Sequence, residues 1–199
     1  MQVSHVVIPN FLNDAEVNQL IEHAKTEDSE SRVNRGGNTF CTVSWIWYHK
    51  AGFQTLTSRI NELVSRENTR HFGFEHIAPF TGRYQYTEYH EPGDAYGWHN
   101  DHAEHPDYMS KRRLTLTIAL SDEDEYAGGG FELSDHLGHA KTANPSALYQ
   151  SMLSLTSEES RLIGQKGTLL MFPAKRMHRA LPVYSGSRKV LVCWVSADT

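Results

Sequence analysis

Near its amino terminus the chain carries a short apolar run, "VSHVVI", and then "NDAEVNQLIEHAK", where Val17, Leu20, Ile21 and Ala24 recur at helical spacing. Asn13 precedes that helix and Glu16 follows three residues on, the reciprocal pairing that closes a helix amino terminus. "SESRVNRGGN" is turn-rich, and "TFCTVSWIWYH" after it has the β-branched and aromatic content of a strand. A second helical stripe follows in "FQTLTSRINELVSRENTRHF": Phe53, Leu56, Ile60, Leu63 and Val64 make a face suited to packing on a sheet. From residue 72 the period shortens. "FGFEHIAPF", "GRYQYTEYH", "RLTLTIAL", "GFELSD", "GTLLMFP" and "RKVLVCWV" read as strands between Gly, Pro and acidic turns. Helices followed by strands predict an α+β fold, an antiparallel sandwich or barrel buttressed by two amino-terminal helices. Residues 1–199 are expected to form one domain, with 1–70 as helical support and 71–199 as the barrel core. The stretch 134–166 is too long for a tight connection. It is expected to be a functional excursion over the barrel mouth, with a short helix at 146–154.

Composition narrows the function classes. The chain has 199 residues and a formal charge of −5, with Lys and Arg scattered, so a nucleic-acid partner is not expected. Cys41 and Cys193, the two cysteines, lie far apart and are read as reduced thiols. "MQVSHVVIPNF" lacks the form of a signal peptide and no apolar run reaches the length of a membrane span, which predicts a cytoplasmic protein without a membrane partner. Oligomeric state has no signature in the sequence.

Chemistry enters at "YGWHNDH", residues 96–102. In an extended segment His99 and Asp101 leave the same face and offer one imidazole and one carboxylate to a common point. "FPAKRMHRALPVYSGSRKVLVCW" adds His178 and, ten residues later, Arg188. Two imidazoles and one carboxylate make the facial triad of non-haem Fe(II) oxygenases, and His99, Asp101 and His178 fill that pattern. Alternation puts Arg188, Val190, Val192 and Trp194 on one face of the last strand. An arginine facing a barrel interior requires an anion, and its planar fork suits a carboxylate. Lys189, on the opposite face, reads as a surface residue. Gly186 in "YSGS" reads as a hairpin turn, which needs an odd-length loop or a bulge if His178 and Arg188 are to face one interior. His99, His102 and His105 make an His-x-x-His-x-x-His run without the thiols of a structural zinc site, so His102 and His105 are assigned to a solvated rim. Gly128–Gly130 precedes a strand and reads as a close backbone approach rather than a phosphate loop.

These segments resemble the 2-oxoglutarate and Fe(II)-dependent dioxygenases, in particular their prolyl 4-hydroxylase-like branch. The likeness runs through "VVIPNFLNDAEVNQLI", "QYTEYHEPGDAYGWHND", "RRLTLTIALSD", "YAGGGFEL" and the closing His178, Arg188 and Trp194, and omits only 134–166. The resemblance implies a double-stranded β-helix, a jelly-roll or cupin-like barrel. It implies Fe(II) on His99, Asp101 and His178, with 2-oxoglutarate and O2 as cosubstrates and ascorbate as an accessory reductant. It places the far carboxylate of 2-oxoglutarate on Arg188 and gives Thr115 and Tyr89 supporting parts. One residue more than in the family pattern separates Tyr89 from His99, so Tyr84 and Tyr86 stay open for the same part. Animal and plant prolyl hydroxylases usually carry lysine where Arg188 stands, whereas bacterial and phage relatives often carry arginine.

The activity implied is oxidative decarboxylation of 2-oxoglutarate coupled to hydroxylation of an aliphatic C–H. Asp101 favours hydroxylation, because related halogenases have a small residue in its place. A peptidyl prolyl residue is the expected substrate, with a free amino acid or small metabolite as the alternative. A non-catalytic cupin-like metal-binding module is the rival from another class, and a nucleobase demethylase is disfavoured by the charge pattern.

Overall fold

The computed structural model describes residues 4–27, 29–30, 39–102 and 107–198. Strand β1 (Val6–Ile8) leads into helix α1 (Asp14–Lys25), whose cap is the one the sequence predicts. Asn13 Oδ1 accepts from the Glu16 N–H at 3.0 Å, and the Glu16 carboxylate accepts from the Asn13 N–H at 2.9 Å. Two short strands, β2 (Ser29–Glu30) and β3 (Thr39–Phe40), precede β4 (Thr42–Trp47) and helix α2 (Phe53–Glu67). The predicted stripe of α2 is buried throughout. Each such side chain contributes on the order of 1.5–3 kcal/mol when removed from water. The Thr57 hydroxyl of α2 and the Tyr84 phenol share a 2.8 Å hydrogen bond that ties the helix to the sheet beneath it.

Next come β5 (Arg83–Tyr89), β6 (Ala95–His99), the single turn α3 (Asp107–Ser110), β7 (Arg112–Ala119), β8 (Tyr126–Gly128) and β9 (Phe131–Leu137). Helices α4 (Pro145–Ser151) and α5 (Ser157–Ile163) separate these from β10 (Leu169–Pro173), β11 (Arg176–Ala180), β12 (Val183–Gly186) and β13 (Arg188–Ser196). All pairings are antiparallel. The large sheet has the order β1-β10-β7-β13-β5-β4-β2, the small sheet β3-β6-β11-β9, and β12 pairs with β8 alone. Leu116, Ile118, Leu191, Cys193 and Val195 on one face of the large sheet join α1 and α2 in the main core. Thr115, Thr117, Val190 and Val192 on its other face look toward the small sheet across an inner cavity. Two antiparallel sheets closing on one interior make a double-stranded β-helix, and this is the expected α+β fold.

Several sequence expectations need correction. Residues 72–80 form no strand: Gly73 and His76 take left-handed backbone angles and Pro79 lacks an N–H, so only an isolated bridge from Ile77 to Ala197 remains. "TFCTVSWIWYH" splits at Cys41, because β3 pairs with β6 in the small sheet whereas β4 pairs with β5 in the large one. The first 70 residues therefore supply strands to both sheets as well as the helices. No hairpin joins His178 to Arg188. β11 and β13 lie in opposite sheets, linked through β12, and Gly186 (φ +77°) is where that link leans on β8, with room for no Cβ beside the Glu125 carbonyl. The face that carries Lys189 is not solvent-facing, since Leu191 and Cys193 on it are buried under the helices. Lys189 stands at the strand end, 3.9 Å from Glu88. The 134–166 excursion holds α4 and α5 and packs on β9 and β1.

Candidate active site

His99 and His178 face one another as direct partners across β6 and β11, with ring centroids 4.1 Å apart. The chain leaves β6 after His99, and the Asp101 N–H donates to the Ala174 carbonyl at 2.9 Å, which turns the carboxylate back between the two rings. Asp101 Oδ2 lies 3.4 Å from His178 Nε2 and Oδ1 lies 3.8 Å from His99 Nε2. One donor atom from each of the three falls within 4.8 Å of the others, and no other described group of His, Cys, Asp or Glu does so.

Backbone carbonyls fix the ring orientations. His99 Nδ1 donates to the Gly97 carbonyl at 2.8 Å and His178 Nδ1 to the Arg176 carbonyl at 3.0 Å, so both Nε2 lone pairs point at the shared space. Burial and the adjacent His178 ring lower the His99 pKa to about 3, which keeps its imidazole neutral near physiological pH. Burial alone would raise the Asp101 carboxyl. The two imidazoles and the Thr115 hydroxyl, which donates to Oδ2 at 2.7 Å, outweigh it and hold the group ionised. Two imidazoles and one carboxylate on one side of a cavity suit a divalent cation and leave its remaining positions open.

At the other end of the inner cavity Arg188 is 7% exposed, and its guanidinium lies 5.3 Å from the Tyr89 ring centroid. Among the described residues no carboxylate pairs with it. A buried guanidinium in that position is short of an anion. Gly129 (φ +64°) lets the chain run against it, since a Cβ there would sit 3.0 Å from Arg188 Cδ. Tyr89 joins the cavity wall together with Gln85 and Thr87, whereas Tyr84 and Tyr86 point into the helix-covered core. Burial pushes the Tyr89 phenol above its ordinary range against the pull of Arg188, so it stays a neutral O–H. Phe131 and Phe172 flank His178 at 5.8 and 4.9 Å.

His102 Nδ1 lies 3.3 Å from the Arg112 carbonyl, away from the cluster, and His105 falls outside the described residues. Tyr96 packs on His99 at 3.9 Å, while Trp98 turns the other way, onto Arg179 and Tyr149. The space in front of the cluster is a cavity of about 510 Å³ walled by Trp45, Arg83, Gln85, Arg112 and Trp194. None of the described walls of this cavity comes from 134–166, although Asp135 and Leu137 of that stretch wall a neighbouring cavity of about 580 Å³. Trp45, Arg83 and Arg112 were missed from the sequence. The signal available was cross-strand, since the alternation in "TVSWIW" and "RYQYTEY" sets Trp45 opposite Gln85 and Trp47 opposite Arg83.

A double-stranded β-helix with a His, Asp and His cluster facing a buried arginine defines the class of Fe(II) oxygenases that take an oxo-dicarboxylate. The family model described as the 2OG-Fe(II) oxygenase superfamily matches residues 84–196, and the chain belongs to that superfamily. A PKHD-type hydroxylase of Shewanella sp. strain MR-7 is 27% identical over 206 residues, covering 96% of this chain and 78% of that protein. A Pseudomonas putida prolyl-4-hydroxylase superposes with a TM-score of 0.70 at 16% identity, covering 98% of this chain and 94% of the other. A Trichoplax adhaerens prolyl hydroxylase, solved with a hypoxia inducible factor peptide fragment, gives 0.67 at 19% identity, covering 98% and 84%. The protein is thus an oxygenase that uses Fe(II) and 2-oxoglutarate. Among the described residues no helix is long and apolar enough to cross a membrane.

Proposed function

We propose that the chain hydroxylates a prolyl residue within a polypeptide. The observation that carries the cosubstrate assignment is Arg188, a buried cation without a described acidic partner in the cavity that His99, Asp101 and His178 also line. In this reading the three side chains hold Fe(II) through His99 Nε2, the Asp101 carboxylate and His178 Nε2. Bound there with 2-oxoglutarate, the metal supplies the O2-dependent oxidation of an aliphatic C–H, with succinate and CO2 as coproducts.

The remaining work is positioning. Arg188 takes the far carboxylate of 2-oxoglutarate in its planar fork, and the Tyr89 O–H, kept neutral by burial, adds a donor beside it. Thr115 holds Asp101 in place through its hydroxyl and also lines the cavity, where the family resemblance implies a supporting part toward the cosubstrate. Phe131, Phe172 and Val190 line the cavity with apolar surface that keeps water from the reacting centre.

The polypeptide is supported by the shape of the mouth and by the relatives. The 510 Å³ cavity and a second of about 580 Å³ lie on either side of Arg112, which walls both, so residues flanking a bound proline would have recesses on both sides to occupy. The Pseudomonas and Trichoplax neighbours are prolyl hydroxylases by name, and the latter was solved with a peptide. Anaerobic titration with Fe(II) and then 2-oxoglutarate should develop an absorption band that needs both and weakens in Asp101→Ala and Arg188→Ala. Incubation in air with a proline-containing peptide should add one oxygen atom to the proline by mass spectrometry. Addition to free proline but to no peptide would replace the polypeptide with a small metabolite.

A further inference from the structure

The mouth of the site carries a charge that the oxygenase chemistry does not use. Arg83 projects from the start of β5 with its guanidinium 4.8 Å from the Trp45 ring and 5.5 Å from the exposed Trp47 ring. Stacking on aromatic faces orients the fork and leaves its N–H edge for another partner. No described carboxylate pairs with Arg83. Arg83 also walls the cavity that holds His99 and Asp101, and among the described residues Asp101 is the only acidic one in its walls. Two polar groups beside it await a partner. Gln85 spends its Nε2–H on Thr87 at 2.9 Å, which leaves its amide oxygen, and the Trp194 indole N–H is buried without a hydrogen bond. On the other side of Arg112 a second cavity is walled by Arg113 and Lys175, and the one acid among its described walls, Asp135, is engaged by Arg176. In a protein of net charge −5, the described residues around this opening thus place Arg83 where a substrate anion can reach it.

We infer that Arg83 is a specificity-determining residue that receives a carboxylate carried by the substrate, so that the enzyme selects acidic substrates. This rests on the oxygenase reading above and names the substrate class for the same site. The carboxylate can come from an Asp or Glu side chain near the target residue or from the α-carboxylate of a free amino acid, and both place the same planar anion against the same fork.

The test uses the full chain loaded with Fe(II) and 2-oxoglutarate. Acetylated and amidated peptides of one length, each with a single proline flanked by Glu, Gln or Lys, are compared with free proline and prolinamide. Binding is read anaerobically by the tryptophan fluorescence that Trp45 and Trp47 supply beside Arg83, and turnover by mass spectrometry. The Glu peptide should bind about tenfold more tightly than the Gln peptide, the size of one charge-assisted contact at a wet rim, and the Lys peptide least. Arg83→Glu should invert that order, with the change in KM rather than kcat. A preference for free proline over prolinamide that Arg83→Glu also removes would assign the carboxylate to a small substrate. Equal binding across the charge series, or an order untouched by Arg83→Glu, would overturn the inference. Failure of the oxygenase reading looks different: succinate would not form from 2-oxoglutarate with any probe, while the binding order would still report on Arg83.

Discussion

The two ends of the site each hold an arginine, and the two are kept in different ways. Arg188 is buried beside Tyr89 and Gly129, so its charge has lost water and lacks a described acid to replace it. Arg83 at the mouth is exposed and lies against two indoles, so its charge costs little when nothing is bound. The contrast separates two kinds of recognition. A buried fork with fixed walls makes one anion obligatory, while a stacked fork in solvent grades a series of substrates.

The comparison can be broken most severely at the metal. Asp101→Ala removes the only charged donor and leaves two imidazoles, and the expected result is loss of Fe(II) binding by at least about a hundredfold, read by metal titration. At the inner end, Arg188→Met deletes a buried charge. With Mn(II) as a redox-silent metal, 2-oxoglutarate at a hundred times its Kd should stabilise the unaltered protein by about 2.7 kcal/mol, and the variant should lose that shift entirely. Its unliganded melting temperature should be equal or higher, because an unpaired buried cation is gone; a lower one would show that Arg188 is satisfied within the fold. Thr115→Val keeps the shape and removes the donor to Asp101, with an expected loss of metal affinity of about tenfold. Tyr89→Phe should raise the KM for 2-oxoglutarate by about threefold to tenfold with kcat nearly unchanged, the loss of one neutral hydrogen bond.

Much of this arrangement could be read in the chain because it follows from local period. The α1 cap, the buried stripe of α2 and the alternation that sends Arg188 and Trp194 to one side and Leu191 and Cys193 to the other depend on residues a few positions apart. Of the cluster, His99 and Asp101 were legible for the same reason, standing two apart, whereas His178 came from the pattern of two imidazoles and one carboxylate, its place opposite His99 being set by the pairing of β11 with β6. Illegible were features decided by which strand meets which. Nothing local at Cys41 says that the chain changes sheets there, or that β12 carries it from the small sheet back to the large one between Ala180 and Arg188. The mouth was missed on the same account, because Trp45 and Arg83 meet only through the pairing of β4 with β5. Tyr84, Tyr86 and Tyr89 could not be sorted by counting residues to His99, yet the face each takes in β5 sorts them.

β13 is hydrogen-bonded along both edges, to β7 and to β5, and it is covered on one face by the helices. Backbone amides in such a strand exchange with solvent only when the whole domain opens, whereas those of β2 and β1 at the sheet margins exchange through local fraying. In deuterium the amide of Val192 will thus be among the last to label and that of Val7 among the first. Arg188, paired with Tyr89 two residues before the doubly bonded stretch begins at Val190, is anchored to the end of that protected segment.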